Sequence, residues 1–272
     1  MRAITKYLIY QQFAANILIA LLINDIRYAI LADRMPYKKT FLFLFAVLCT
    51  IHGFAQETAD KKNKIFDGLT ERYTVLKDSQ DVKQGLYQVF SKKNTVVVRG
   101  GYTRGKKTGV WHFYNKSTSK LLQIYNYDTD SLRFEAKQYS GTNISYIIDK
   151  KITDSDAATK PVKVGGRYFG YLPYLSLYRP PFDPALFNLY GAEAEIELLI
   201  SPLGRLASYK LIAYFPFMDY TQTLKMDLRM FKDEDRQFIP ATFNHEPVLC
   251  RIIIKCTVNE DGQLQFRNYD EF

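Results

Sequence analysis

Gly101-Tyr102-Thr103-Arg104-Gly105-Lys106-Lys107-Thr108-Gly109-Val110-Trp111-His112-Phe113-Tyr114-Asn115 sets glycine- and charge-rich turn residues between two aromatic runs. Glycine supplies the positive φ that a tight turn needs, and aromatic residues suit a pleated surface, so the stretch reads as two antiparallel strands and their turn. The same rhythm extends on both sides at roughly ten-residue spacing. The runs are Gly85–Phe90, Thr95–Arg99, Gly109–Tyr114, Leu121–Tyr127, Leu132–Ala136 and Ile144–Ile148. Turn chemistry separates them: Lys92-Lys93-Asn94, Thr103-Arg104-Gly105-Lys106, Asn115–Ser119 and Asp128-Thr129-Asp130. A single meandering sheet is expected, preceded by a flexible, Lys-rich lead-in at 57–66.

In this setting Gly101-Tyr102, Gly105-Lys106, Gly109, Trp111, Phe113-Tyr114-Asn115 and the strand Gln123–Tyr127 resemble the MORN-repeat variant of bacterial envelope proteins. The resemblance covers about 70 residues and implies an interaction or spacer surface. Trp111, Phe113 and Tyr114 are its candidate partner-binding residues, although aromatic strand residues serve equally as core.

Beyond a polar linker at 151–160, Pro173, Pro180, Pro181 and Pro184 forbid a long helix through 167–190. Two apolar runs, 192–200 and 206–214, flank Ser201-Pro202-Leu203-Gly204-Arg205 and read as a hairpin. Asp219 with Gln222 can cap a helix whose apolar face is Tyr220, Leu224, Leu228 and Phe231. An apolar strand at 248–258, a turn at Asn259-Glu260-Asp261-Gly262 and a short strand at 263–268 complete the order hairpin, helix, strand.

Pro161, Val162, Gly165, Gly166, Gly204, Phe238, Pro240, Ala241, Pro247 and Val248 follow one another as the landmarks of the TonB C-terminal domain do, over about 110 residues. Phe238 stands where that family usually has Trp, and the prolines of 167–190 depart from its helix. The resemblance implies a small α+β fold and a peptide- or protein-binding role, with Phe238, Pro240 and Val248 as candidate contacts and an exposed edge strand as the place for a partner segment to pair. A TonB transducer also needs an uncleaved membrane helix and a Pro-rich spacer, so energy transduction is not carried over.

The N-terminal segment assigns a compartment. From Met35, a Lys-containing start leads into the apolar run Phe41–Ile51, then Gly53 and Ala55 stand at −3 and −1 of a cleavage site before Gln56, the layout of a secretory signal peptide. Residues 1–34 read as an upstream translation artefact, with an uncleaved amphipathic anchor as the alternative. Export leaves Cys250 and Cys256 in the mature chain. On one strand they would lie about 20 Å apart, beyond the roughly 4.4–6.8 Å Cα separation of a disulfide, so two buried free thiols are expected.

Composition narrows the function further. The 272 residues are 47% hydrophobic and 15% aromatic, the make-up of a folded chain. Of 37 Lys and Arg, six fall in residues 1–55, and the remaining basic residues are scattered among acids, which argues against nucleic acid. His112 and His245 have no Cys or carboxylate at ligand spacing, and no nucleophile elbow, phosphate loop or dinucleotide fingerprint occurs. The acid pairs Glu193/Glu195 and Asp233/Asp235 read as solvated faces.

The expected organisation is a signal peptide at 35–55, an antiparallel β-meander at 56–150, a linker at 151–160 and an α+β domain at 161–272. The expected role is non-catalytic and cofactor-free, in the periplasm or envelope, with a protein or peptide partner, an outer-membrane protein among the candidates. The alternative is a structural envelope component associating with membrane or cell wall through the repeat module.

Overall fold

The structure, a computed structural model, describes residues 57–138, 143–151, 153, 156–181 and 192–267. The signal peptide and residues 1–34 lie outside the described residues. What is described is predominantly antiparallel β-sheet with one short α-helix.

Seven strands form the first sheet in chain order: β1 (Thr58–Ile65), β2 (Leu69–Leu76), β3 (Ser79–Phe90), β4 (Val96–Thr103), β5 (Lys106–Tyr114), β6 (Leu121–Asn126) and β7 (Ser131–Glu135). The β4–β5 turn shows why chain order becomes spatial order. Thr103 pairs with Lys106, and the two residues between them, Arg104 and Gly105, have φ of 48° and 79°. A two-residue loop with both φ positive matches the right-handed twist of a hairpin and leaves the next strand no option but its neighbour.

The lead-in at 57–66 is not a flexible tail. Thr58–Ile65 is β1, paired residue for residue with Leu69–Leu76. An edge strand keeps one side in water and so tolerates lysines. Lys61 Nζ donates to the Gln80 carbonyl at 2.7 Å and Asn63 Nδ2 to the Tyr73 hydroxyl at 2.8 Å.

A second sheet runs β12 (Tyr220–Lys225), β11 (Leu206–Phe215), β10 (Glu193–Ile200), β15 (Cys250–Val258) and β16 (Leu264–Phe266), with β8 (Ile144–Ile148) also pairing β15. β8 thus leaves the meander in which its spacing had placed it; Ile144 is buried opposite Ile254. In β10, Ala194, Ile196, Leu198 and Ile200 point inward while Glu193, Glu195 and Glu197 point out, the period of a half-buried strand. β9 (Ala158–Thr159), β13 (Ala241–Phe243) and β14 (Glu246–Val248) make a small third sheet that takes up part of the expected linker. Cys250 and Cys256 are buried and free.

The helix expected over 219–231 does not form. Asp219 adopts φ 45°, Tyr220–Lys225 pairs with Lys210–Phe215 as β12, and Leu228–Met230 is a single 3-10 turn. Thr221 and Thr223 favour a strand, and the open edge of β11 supplies the hydrogen bonds. Leu224, Leu228 and Phe231 still reach the core, so the apolar spacing was a true burial signal attached to the wrong period.

The segment from Pro161 to Tyr178, with α1 (Leu172–Ser176), is wedged between the two sheets. Phe169 stacks on Phe113 of β5 at 6.3 Å, Tyr168 packs on Phe266 of β16 at 6.0 Å, and the Tyr209 hydroxyl of β11 donates to the Tyr174 carbonyl at 3.0 Å. Burial of rings such as Phe113 and Phe266 contributes roughly 1.5–3 kcal/mol each. The wedge is fixed to the first sheet by Gln123, fully buried in β6. Its Oε1 accepts from the Gly165 and Gly166 amides at 2.8 and 3.1 Å, and its Nε2 donates to the Lys163 carbonyl at 3.0 Å.

Candidate functional site

The inner face of β3–β6 carries the aromatic residues that alternation places there. Tyr87 of β3 lies opposite Gly100 of β4, and the missing side chain at Gly100 is filled by the indole of Trp111. Trp111 stacks on Tyr87 with centroids 5.4 Å apart, and meets Tyr102 and Tyr127 edge-on at 5.3 and 5.4 Å. Its N–H donates to the Thr108 carbonyl at 3.1 Å, so the ring is fixed in place as well as buried.

Two lysines lie over these rings. Lys83 Nζ is 4.3, 4.6 and 5.4 Å from the ring centres of Tyr73, Tyr87 and Tyr102, and pairs with Glu71 at 3.1 Å. Glu71 also accepts from the Tyr87 hydroxyl at 2.9 Å. Lys107 stands 5.3 Å from the Trp111 ring and 5.4 Å from Tyr127. It pairs with Glu234 at 2.6 Å, bridging the sheet to the 3-10 turn Asp233–Arg236. An ammonium held against the negative face of an aromatic ring keeps part of its solvation in another form.

The opposite wall comes from the wedge and from residues 230–239. Lys163, 4% exposed, donates to the Glu234 and Gln237 carbonyls at 2.7 and 3.1 Å and lies 4.9 Å above the Phe238 ring. Tyr174 packs on Phe231 and Phe238, and its hydroxyl donates to the Asp235 carbonyl. Between the walls is a cleft of about 590 Å³ lined by residues that include Tyr87, Tyr102, Trp111, Phe113, Tyr127 and Phe238. Clefts of about 300–1,000 Å³ with mostly apolar walls and a few polar groups are the usual shape of ligand sites.

Burial sets the electrostatics. It pushes the Tyr102 hydroxyl up to about 12 and those of Tyr87 and Tyr127 further, so all three stay protonated donors. It brings the Lys163 ammonium down to about 8 and raises the Asp235 carboxyl. At Glu234 burial acts upward, but Lys107, together with Lys232 and Lys163, outweighs it and holds the carboxyl below its ordinary value.

No family model, curated protein or solved structure matches the chain.

Of the six residues singled out from the sequence, Trp111, Phe113 and Phe238 meet in this cleft. Tyr114 does not: it lies on the other face of β5, stacked on His112 at 6.4 Å. Pro240 and Val248 also lie outside the lining, Val248 paired with Ala241 in the third sheet. Sequence reasoning missed Lys83, Lys107, Lys163, Glu71 and Glu234, because charged residues near turns read as solvated until the fold brings them over a ring.

A second surface is the outer side of β12, which ends the second sheet's strand order among the described residues. Phe217, Tyr214 and Tyr220 beside it are 75%, 43% and 40% exposed. Among the described residues, no group of three His, Cys, Asp or Glu is placed to hold a metal ion, and no helix is long and apolar enough to cross a membrane.

Proposed function

We propose that this chain is a non-catalytic binding protein exported to the bacterial cell envelope, where the cleft holds side chains of a protein or peptide partner. The observation that carries this is the cleft's construction. Its two aromatic walls come from distant parts of the chain, and three of its lysines are engaged within the walls, Lys83 by Glu71, Lys107 by Glu234 and Lys163 by two carbonyls. With these three charges engaged internally, recognition falls mainly to ring faces, tyrosine hydroxyls and shape, the anchors that dominate protein interfaces. The outer edge of β12, last in the second sheet among the described residues, adds a place where an extended segment can pair by its main chain.

Trp111, the single tryptophan of the sequence, supplies the assay. Peptides selected on the full chain from a displayed library should change Trp111 fluorescence on binding, and Tyr102→Ala and Phe238→Ala should weaken them by tenfold or more. Selected peptides that leave the fluorescence unchanged and bind both variants normally would remove the cleft from the reading. Export is checked separately: the protein recovered from a bacterial periplasm should begin at Gln56.

A further inference from the structure

The outer face of the seven-stranded sheet carries a line of basic residues that the cleft does not use. Residues directly opposite in an antiparallel sheet point to the same side, so the register can be followed across the strands. Lys62 of β1 faces Arg72 of β2, which faces Gln88 of β3, then Arg99 of β4, then His112 of β5, with Ile124 and Phe134 ending the row. Lys62, Arg72 and Arg99 are exposed. At roughly 4.8 Å between neighbouring strands, the stretch from Lys62 to His112 is about 19 Å long.

The row itself contains no acid. Glu71, next to Arg72 in sequence, points to the opposite face and pairs with Lys83 there. Asp60, two residues before Lys62 on the same side of β1, stands beside the first cation of the row, about 7 Å along the strand. Alongside the row, on the same face, lie the rings of Phe90, with the Arg72 guanidinium 4.3 Å above it, and Tyr114, stacked on His112.

We infer that this face binds an anionic polysaccharide laid across the strands, its carboxylate or phosphate groups against Lys62, Arg72 and Arg99 and its sugar rings against Phe90 and Tyr114. Charge complementarity favours a thread-like polyanion because the three cations lie in one line across the sheet, on β1, β2 and β4, with the neutral Gln88 between the second and the third. Flat rings beside the series suit the apolar faces of pyranoses. This is independent of the cleft, which opens on the other side of the same sheet.

The test uses the full chain with polygalacturonate as probe, uncharged dextran as the matched neutral glycan, and phosphatidylglycerol-containing vesicles as the competing anionic surface. Polygalacturonate should bind, more weakly as salt rises. Lys62→Gln/Arg99→Gln should bind roughly tenfold more weakly or worse, while Lys225→Gln/Arg229→Gln, with the same charge loss on β12 and the 3-10 turn that follows it, should bind as the parent does. Among the described residues neither Lys62 nor Arg99 is in an ion pair, so the double variant should keep the parent's thermal unfolding; if it does not, Arg72→Gln carries the same comparison. Absence of binding to polygalacturonate, equal binding to dextran, equal loss in both double variants, or binding to vesicles alone would each overturn the inference.

Discussion

Gly100 and Trp111 occupy one space: a methyl group on Gly100 would lie 2.1 Å from Cδ2 of the indole. The indole lies across β4 because β4 has no side chain at that point, and this closeness allows Trp111 to stack on Tyr87 one strand further on. Gly100→Ala is therefore expected to displace the ring and destabilise the protein by about 1–3 kcal/mol, the usual cost of overpacking. Tryptophan emission should shift to the red as the indole is pushed toward water. A variant with parental emission and stability would show that the strand yields instead of the ring.

Gln123 ties the wedge to the meander with a side chain no smaller group can imitate. Its carbonyl oxygen takes two adjacent amides, Gly165 and Gly166, both at positive φ, and its amide returns a hydrogen bond to the Lys163 carbonyl. Gln123→Leu leaves those two amides buried without an acceptor, at about 1–3 kcal/mol each, so a loss of roughly 2–5 kcal/mol is expected in urea unfolding. Gln123→Glu keeps both acceptor contacts but turns a donor into an acceptor against the Glu135 carboxylate, 2.7 Å from the Gln123 amide nitrogen, and the Lys163 carbonyl, so it should lose at least as much as Gln123→Leu. Parental stability in both variants would show that these contacts do not hold the wedge.

The meander was legible because its punctuation is local. Asn94, Arg104-Gly105 and Asp130 force turns wherever they occur, and strands β3 to β7 fall between them. Three features were not legible, each for a tertiary reason. β1 is polar because it is an edge, β8 sits in the second sheet because β15 has a free side for it, and 219–231 carries a helix-like apolar spacing on a strand and a 3-10 turn. In the cleft, Trp111 and Phe113 stand out in the sequence as strand aromatics. The Lys107–Glu234 pair joins residues 127 positions apart and has no sequence signature at all.

Cys250 and Cys256 both face the core from β15, and burial pushes the Cys250 thiol up to about 11 and the Cys256 thiol higher still. The thiolate is the reactive form. Native protein at pH 8 should therefore react with an aromatic disulfide reagent only on the timescale of unfolding, and both thiols should react at once in denaturant. Fast titration of one thiol in the native protein would contradict its burial.

Lys163 gives stability a distinctive pH dependence. Its ordinary value is near 10.5, and burial, only partly offset by Asp235 and Glu234, brings it down to about 8 in the folded chain. Between about pH 8 and 10.5 the unfolded chain therefore holds a proton that the native chain has released. Lys163 should raise stability with pH across that window, by up to about 3 kcal/mol, with Lys160, also lowered by burial, adding in the same direction. The buried thiols and tyrosines act oppositely. Cys250 is pushed up to about 11 and Cys256 further, so from about pH 9 the unfolded chain loses thiol protons that the native chain retains; Tyr102, raised to about 12, and Tyr87, raised further, add to this above about pH 10, and stability turns down. Urea midpoints from pH 7 to 11 should thus pass through a maximum at about pH 9. In Lys163→Met the rise should flatten while the alkaline fall remains. A parental profile that declines steadily from pH 7, or a variant that keeps the full rise, would show that Lys163 titrates in the folded protein as it does in water.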